Sequence, residues 1–522
     1  MCKNIGGIML PLDKDVRDQI LVNEGNIVIS ASAGTGKTHT TIQRIIRDIE
    51  KNNNYKTFAA ITFTRKAARE IVNRLGINKG GGFVGTNDNF ILSEIIQPFM
   101  YDFYGPNYKL EIKPDFNDEN QIADFQEGIK KIEETQLMCK FIDNKKNFAF
   151  QLALIILKES HSARRYLKSK YYRIYIDEYQ DSDVDMHNLF MYICDDLSIP
   201  LFIVGDTKQS IYRWRGAYSD GFEELTSKSN FKKFELWHNF RSNTIIQNYS
   251  NIFMESVRHH YRQSDFNNEI IAFEFNTDEE AANYINDWID TSKKCAFLNF
   301  SNSNAEKWSK QLNGVNLPFV FIPGSPLDYS NLESEHIWVA RCIANYELQN
   351  KYSEYDVMDE IPMPEAYRII DLKKLLFRIK DSHNNFDLYE KNCMKLYEYL
   401  GYRDDIEKIK REIKTLFEVV NDDRFVPTYN QESYSLTCGT IHSSKGLEFE
   451  QVIINAGDFN MSRDGAIFLH YVAISRPEQR LLIIGEPFYF KRYLGYIQGA
   501  VKKTKDLGID ISIESIIKLV GL

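Results

Sequence analysis

The sequence lacks any hydrophobic run long enough to cross a membrane. No apolar stretch among its 522 residues approaches the roughly 18 residues that a spanning helix needs. The opening residues, MCKNIGGIML, carry one lysine and a very short apolar patch, so we expect no signal peptide. Hydrophobic residues make up 43% of the chain and charged residues 26%, as in ordinary globular proteins. We therefore expect no contact with a membrane and a chain of about two to four domains.

The sequence also lacks paired cysteines. Its 7 cysteines are scattered, and none belongs to a CxxC pair. Such pairs are the usual mark of cysteine-bound metals and of thiol redox sites. The spacing therefore predicts neither a disulfide framework nor a zinc site, and it fits a reducing cytoplasm.

An excess of basic residues is absent as well. The chain has 64 Lys and Arg against 73 Asp and Glu, a formal net charge of −9. A protein that coats nucleic acid without sequence preference needs a positive surface, so that class is disfavoured. A DNA groove stays compatible with this balance, because only the local field at the groove matters.

Short apolar runs bounded by Gly, Asp or polar turns predict buried strands. They are NIVIS, TFAAITF, IYI, LFIVG, CAFLNF, QVIINA and LLIIG, at 26–30, 57–63, 174–176, 201–205, 295–300, 451–456 and 481–485. Such runs are typical of parallel sheets with helices on both faces. Helical stretches lie between them, for example at 66–75. The alternation predicts α/β domains with ligands at the carboxyl ends of the strands.

The stretch NIVISASAGTGKT (26–38) predicts a strand, a phosphate-binding loop and the start of a helix. Two glycines let backbone N–H groups converge on phosphate, the lysine can reach the β and γ phosphates, and the last threonine can bind Mg²⁺. Ala31 stands where such loops usually have their first glycine. A glycine-rich turn with a chance lysine is the alternative, which the flanking elements disfavour. The predicted nucleotide-binding residues are Ala33, Gly34, Thr35, Gly36, Lys37 and Thr38.

Two adjacent carboxylates, Asp177 and Glu178, follow the apolar run within YRIYIDEYQD (172–181). An ordinary solvated strand end is the alternative, but it does not explain the adjacent pair. A P-loop ATPase needs an acidic residue at the end of a neighbouring strand to hold Mg²⁺, and Asp177 fits that need together with Thr38. Glu178 can then orient and deprotonate the attacking water.

These motifs resemble those of superfamily 1 DNA helicases of the UvrD, Rep and PcrA type. The matching segments are ITFTRKAARE (61–70), VGDTKQSIYRWRGA (204–217), LWHNFRS (236–242), GTIHSSKGLEF (439–449) and YVAISRPEQR (471–480). The resemblance runs from about residue 12 to 485, with gaps at two insertions. It implies two RecA-like P-loop NTPase domains, ATP and Mg²⁺ as ligands, and 3′ to 5′ movement on single-stranded DNA.

The resemblance also implies roles on the nucleotide side. Gln209 is expected to contact the γ-phosphate, and Arg241 and Arg476 to neutralise charge on it during transfer. Together with Lys37 and Glu178 they form the predicted catalytic set. Phe240 replaces a tyrosine that stacks on adenine, and Glu448 is expected to face the nucleotide.

The sequence departs from the family at the position expected to recognise the adenine base of the nucleotide. Val16 stands where the family has a glutamine that reads adenine, and Gln19 lies nearby but out of register. Relaxed adenine selectivity, with other purine nucleotides as substrates, therefore stays open.

A third set is expected to contact DNA. Hydroxyls and cations suit phosphates, and aromatic rings suit bases. For the stretches 61–70 and 85–90, the alternative is a basic helix face that follows a core strand and has no role in DNA binding. Asp88 stands where the family usually has a histidine, which weakens the DNA contact expected there. The predicted DNA-binding residues are Thr62, Phe63, Thr64, Lys66, Thr86, Tyr212, Trp214, Arg215 and His442.

The resemblance divides the chain into six parts. We expect a first RecA-like domain at 1–90 and 171–235, a second at 236–345 and 431–490, helical insertions at 91–170 and 346–430, and a C-terminal extension at 491–522. The second insertion is much shorter than in the family. The amphipathic tail is expected to pack on its own domain or, alternatively, to dock on a partner.

The shortened insertion narrows the expected function. A compact chain of this type with a shortened insertion resembles the helicase-like subunit of Gabija-type anti-phage systems, which pairs with an OLD-family nuclease. We find no nuclease motif in this chain, so a partner would have to cut the DNA. The leading hypothesis is an ATP-driven motor on single-stranded or tailed DNA, in DNA repair or anti-phage defence. The alternative is an ATP-gated sensor of DNA ends that activates a nuclease without processive unwinding. A catalytically dead scaffold is disfavoured, and RNA as the track stays open.

Overall fold

The computed structural model describes residues 11–76, 81–105, 112–115, 120–211, 218–328, 334, 336–361, 367–403, 406–463 and 465–521. The strands are β1 (Asn26–Ala31), β2 (Thr57–Thr62), β3 (Phe83–Thr86), β4 (Lys113–Asp115), β5 (Leu137–Cys139), β6 (Tyr171–Ile176), β7 (Leu201–Gly205), β8 (Phe231–Leu236), β9 (Ile270–Glu274), β10 (Cys295–Asn299), β11 (Val320–Phe321), β12 (Leu436–Thr440), β13 (Phe449–Asn455), β14 (Pro477–Gly485) and β15 (Lys518–Val520).

Helices follow most strands. They are α1 (Lys14–Val22), α2 (Lys37–Lys51), α3 (Arg65–Leu75), α4 (Asn87–Ile91), α5 (Gln97–Tyr104), α6 (Phe125–Thr135), α7 (Phe148–Glu159), α8 (His161–Lys170), α9 (Val184–Asp195), α10 (Ser219–Ser227), α11 (Thr244–Ile252), α12 (Asp278–Trp288), α13 (Asn302–Gly314), α14 (Ile337–Leu348), α15 (Glu354–Glu360), α16 (Ile369–Asp381), α17 (Phe386–Tyr399), α18 (Ile406–Val420), α19 (Val426–Tyr429), α20 (Ala466–Ile474) and α21 (Pro487–Lys505).

Two parallel sheets confirm the expected α/β class. The first has the order β3-β2-β6-β7-β1-β8, and the second has the order β11-β12-β10-β13-β14-β9-β15. All the recorded pairs in both sheets are parallel. In the first sheet β6, β7 and β1 are neighbours, so the segments that follow them meet at one edge.

All seven apolar runs form strands, as the sequence predicted. Their side chains are buried on both faces; β7, for example, is buried along its whole length. The pattern missed β8, because this edge strand exposes Lys232 and Lys233 and so reads as a polar segment.

The two insertions differ in how they pack. Residues from 90 to 167 share one hydrophobic core with the first sheet, so this insertion lies directly on it. It also contains the small parallel pair β4-β5, which periodicity did not predict. Helices α14 to α18 instead enclose a core of their own.

The tail packs on its own half. β15 pairs with β9 and extends the second sheet, while Ile511, Ile516 and Ile517 are buried in that half's core. Within the described part of the chain, no helix is both long and apolar enough to span a membrane.

Candidate active site

A tight loop joins β1 to α2 at the carboxyl edge of the first sheet. Gly34 and Gly36 have φ of 72° and 75°, a region that favours glycine. A Cβ on Gly34 would lie 2.5 Å from Oδ1 of Asn239, so the segment after β8 presses directly on this loop. The N–H of Phe240 donates to the carbonyl of Gly34 at 2.9 Å. The loop therefore turns its backbone towards a space bordered by both halves of the molecule.

Lys37 and Thr38 open α2 and face the acidic pair that follows β6. Nζ of Lys37 lies 3.2 Å from Oε1 of Glu178. The Thr38 hydroxyl donates to Oδ2 of Asp177 at 3.3 Å. Burial alone would lower the pKa of Lys37, but the nearby carboxylates, Glu178 foremost, outweigh it and raise that pKa. The lysine is therefore held as a cation at the mouth of the loop.

The acidic pair has an unusual backbone and divergent pKa values. Glu178 has a φ of 55°, in the left-handed region, and its N–H donates to Oδ1 of Asp177 at 2.9 Å. Burial, and then the charge of Glu178, raise the pKa of Asp177 to about 6. Burial would also raise the pKa of Glu178, but Lys37 and Lys445 outweigh it and lower that pKa. A strained backbone at a buried acid is a common feature of functional sites.

Gln180 connects Glu178 to the residues after β7. Its Nε2 donates to Oε2 of Glu178 at 2.5 Å, and its Oε1 accepts the N–H of Asp206 at 2.8 Å. Nε2 of Gln209 donates to Oδ2 of Asp206 at 2.6 Å. Nη2 of Arg476 donates to Oε1 of Gln209 at 3.1 Å. A chain of hydrogen bonds thus runs from the acidic pair to an arginine of the second half.

Both arginines predicted for catalysis lie at this boundary. Nη2 of Arg241 lies 2.6 Å from Oε1 of Glu448, and Nη1 donates to the carbonyl of Ser475 at 3.1 Å. Arg476 is buried, and its burial, followed by the charge of Arg241, lowers its pKa to about 9. Glu448 therefore lies at the same boundary, paired with Arg241.

A buried ion pair also joins the halves. Nζ of Lys445 lies 2.6 Å from Oδ2 of Asp181, and both side chains are largely buried. The sequence reading missed this pair, along with Gln180 and Asp206. Each stands one to three residues from a quoted motif residue, but nothing in the spacing shows which distant side chain it meets.

The region expected to hold the base contains Phe240 and Arg17. The Phe240 ring is 57% exposed, with Cζ of Arg17 5.0 Å from its centroid. Arg17 is fixed by Asp13, 2.7 Å away, and donates to the carbonyl of Thr35 at 2.9 Å. Val16, next to Arg17, packs at the edge of a core instead. A ring face is thus open for stacking, while the glutamine of the family has no counterpart at Val16.

One cleft of about 860 Å³ brings these groups together. Its lining includes all the predicted loop residues, both acids, Gln209, Phe240, both arginines and Glu448. Phe63, Thr64 and His442, predicted for DNA, line the same cleft.

The other residues predicted to bind DNA do not line this cleft or lie outside the described residues. Thr62 is buried and its hydroxyl donates to the carbonyl of Thr64, so a phosphate contact by Thr62 would require this bond to break. Thr64 and Thr86 cap α3 and α4 through the N–H groups of Ala67 and Asn89. The Lys66 side chain and residues Tyr212, Trp214 and Arg215 lie outside the described residues.

The chemistry of the cleft suits a nucleoside triphosphate. The loop offers N–H groups and a lysine to phosphate oxygens. Thr38 and Asp177 bring two oxygen atoms close together, and oxygen ligands are the set that Mg²⁺ prefers. Arginines from the second half face the first across the cleft. The fold and the site together define a two-domain P-loop NTPase of the helicase type.

Comparisons with known proteins agree with that class. The model of the UvrD/REP helicase N-terminal domain matches residues 12–97 and 106–230. Gabija protein GajB of Bacillus cereus (strain VD045) is 37% identical over 94% of this chain and 98% of its own length. A probable DNA helicase II homolog of Mycoplasma pneumoniae is 23% identical over 94% of this chain and 87% of its own length. ATP-dependent DNA helicase PcrA of Staphylococcus epidermidis is 22% identical over 90% of this chain and 83% of its own length.

The chain therefore belongs to the UvrD/Rep helicases, enzymes that hydrolyse ATP, and within them to the family of Gabija protein GajB. The alignment with PcrA runs over 619 residues, which exceeds the 522 residues of this chain. PcrA thus carries residues that have no counterpart in this chain.

Proposed function

We propose that this protein is an ATP-dependent DNA translocase or helicase that hydrolyses ATP in the cleft between its two sheets. The observation that carries the proposal is the hydrogen-bonded chain from Glu178 through Gln180, Asp206 and Gln209 to Arg476. Such a chain lets the state of the nucleotide change the contact between the two halves. We propose the same six-part domain division that the resemblance implies.

Each side chain in the cleft has a distinct proposed role. Lys37 binds the β and γ phosphates, and Thr38 and Asp177 hold Mg²⁺, which neutralises charge on the phosphate oxygens. Glu178 accepts the proton of the attacking water, since its lowered pKa keeps it ionised near neutral pH. Gln209 positions the water and the γ-phosphate.

The cationic side chains are proposed to exchange partners when ATP binds. Lys37 now pairs with Glu178, and Arg241 with Glu448. The γ-phosphate would draw Lys37 and Arg241 away from these carboxylates, while Arg476 would extend from Gln209 towards it. Because Arg241 and Arg476 belong to the second half, their capture closes the cleft, and release of phosphate opens it.

DNA is proposed to follow the surface that begins at Phe63 and Thr64. His442 of the second half lines the same cleft. Lys66, Thr86, Tyr212, Trp214 and Arg215 are proposed to add phosphate and base contacts, as the family resemblance implies. Alternating grip by the two halves would move single-stranded DNA 3′ to 5′.

A role in anti-phage defence is proposed from the 37% identity to Gabija protein GajB. We propose that the enzyme works with an OLD-family nuclease, which supplies the cutting activity that this chain shows no motif for. Single-stranded or tailed DNA would be the shared substrate.

A second candidate, an ATP-gated sensor of DNA ends, is favoured by the shortened insertion. The comparison with PcrA implies missing segments in this chain. An enzyme without a duplex-contacting subdomain would close on a DNA end and signal without moving far.

Displacement of streptavidin from biotinylated DNA ends separates the two candidates. We expect a translocase to remove streptavidin from the 5′ end of a single strand in an ATP-dependent manner, and not from the 3′ end. Lys37→Ala is the control without nucleotide turnover. ATP hydrolysis stimulated by blunt duplex ends with no displacement from either end would support the sensor and contradict the motor.

A further inference from the structure

A cluster of three metal-ligating side chains lies outside the cleft. Glu235 is the penultimate residue of β8, and His259 and His260 end a short 3-10 helix, Glu255–His260. One ligand atom from each of the three lies within 4.8 Å of the other two. Among the described residues this is the group of His, Cys, Asp and Glu side chains with that geometry.

The cluster is already partly organised. Nε2 of His260 lies 3.1 Å from Oε1 of Glu235. Trp237 stacks on His260, with ring centroids 5.0 Å apart and planes 11° apart, which fixes the imidazole. The rings of His259 and His260 have centroids 4.0 Å apart. Ligands held in place before binding lose little freedom when they bind.

One lysine, Lys208, acts on Glu235 through its charge. The cation of Lys208 is paired with Asp206 at 2.7 Å, which reduces its repulsion of a metal. The exposed side of His259 leaves a path from solvent.

We propose that Glu235, His259 and His260 form a binding site for a divalent transition metal of the Zn²⁺ class. Two imidazoles and one carboxylate are a known zinc ligand set that leaves a fourth position open for water. Atoms bound to one tetrahedral zinc lie about 3.4 Å apart, as bond lengths of about 2.0–2.1 Å require. The present spacing thus has to contract by little more than an ångström, which side-chain torsions supply. No cysteine takes part, so the absence of CxxC pairs gave no sign of this site.

The site bridges the two halves of the molecule. Glu235 belongs to the edge strand of the first sheet. The 3-10 helix follows α11, whose Ile245, Ile246 and Tyr249 are buried in the core of the second half. A bound metal would fasten the two halves beside the segment 237–243 that joins them. The proposal does not depend on the proposed function, because metal binding is measured without ATP or DNA.

Zinc titration of the whole protein tests the proposal. Metal-stripped protein is titrated with Zn²⁺ against a chromophoric chelator in excess Mg²⁺, which occupies oxygen-rich sites and competes weakly for imidazole. We expect one Zn²⁺ per chain for the wild type. Glu235→Gln and His259→Ala are expected to weaken binding by at least about ten-fold, the lower range seen when support of a metal site is lost. His161→Ala removes an exposed histidine elsewhere and should bind as the wild type does.

Of the two variants, His259→Ala tests the proposal more directly than Glu235→Gln. It leaves the hydrogen bond between Glu235 and His260 in place and removes only the third ligand. Binding of Zn²⁺ to this variant as tight as to the wild type would overturn the proposal, as would a wild type that binds no Zn²⁺. Circular dichroism of each variant checks that it is folded.

Discussion

At the scale of single residues, the cleft is a set of polar side chains that hydrogen-bond to one another. Gln180 is fully buried and has both ends of its amide occupied, by Glu178 on one side and Asp206 on the other. An unmet hydrogen bond at such depth costs about 1–3 kcal/mol, so this arrangement is strongly favoured over its alternatives. Gln180 therefore acts as a positioning residue for Glu178.

Gln180→Ala tests this role. We expect kcat for ATP hydrolysis to fall by about ten- to a hundred-fold, because the carboxylate of Glu178 loses the group that aims it. The KM for ATP should change little, since Gln180 does not face the phosphate loop. Gln151→Ala, which removes a hydrogen bond to Asp185 elsewhere in the first half, is the matched control. An unchanged kcat, or a rise in KM alone, would count against the positioning role.

A buried histidine gives a prediction for pH. His470 lies in the core of the second half, with Nε2 2.6 Å from the Tyr493 hydroxyl. Burial lowers its pKa from the ordinary 6.5 to about 3. Between those values the unfolded chain binds a proton that the folded chain does not, so stability falls as pH falls from about 6.5 towards 3, by up to about 1.4 kcal/mol per pH unit.

Urea denaturation at several pH values measures this effect. In His470→Gln the loss of stability between pH 7 and pH 5 should be smaller than in the wild type. Equal pH dependence of the two proteins would show that His470 is not the group responsible.

At the scale of elements, the sequence predicted the strands that are continuous apolar runs. The runs that form β1, β7 and β13 are typical of parallel strands covered on both faces. β9 and β12 are buried along most of their length but were not predicted. β8 was not readable, because an edge strand carries polar residues that resemble a loop. The bond of Gln180 with Asp206 and the pair of Lys445 with Asp181 were not predicted either, because each joins residues far apart in the chain. The phosphate loop and the acidic pair were readable because their residues are local in sequence.

Helix α3 depends on the residue that precedes it. The Thr64 hydroxyl accepts the N–H of Ala67 and caps this helix, which begins at Arg65. Thr64→Ala should lower the free energy of unfolding by about 1 kcal/mol, the usual value for a lost cap. Thr64→Ser keeps the hydroxyl and should retain most of that stability. Urea denaturation measures both variants, and an alanine variant as stable as the serine variant would contradict a capping role.

At the scale of the whole molecule, polar contacts join the two halves. The pair of Lys445 with Asp181 is largely buried, as is the bond from Arg476 to Gln209. Breaking a buried ion pair from one side costs about 3–5 kcal/mol, because a charge is left without its partner. We therefore expect any opening of the cleft to require these two contacts to break.

Lys445→Ala should loosen this arrangement. We expect a larger radius of gyration of the nucleotide-free protein by small-angle X-ray scattering. The matched control is Lys307→Ala, which removes the more exposed pair with Asp278 and leaves the cleft unchanged. A radius of gyration identical in the wild type and Lys445→Ala would contradict the restraint.

We propose that Glu178 in this cleft drives ATP hydrolysis coupled to DNA. The most direct measurement is steady-state ATP hydrolysis with and without single-stranded DNA, for the wild type, Glu178→Gln and the surface control Glu133→Gln. We expect DNA to stimulate the wild type and the control, and Glu178→Gln to lose at least about a hundred-fold in kcat, as general bases contribute. Binding of a fluorescent ATP analogue should persist in Glu178→Gln. DNA-stimulated hydrolysis that survives in Glu178→Gln would contradict the account.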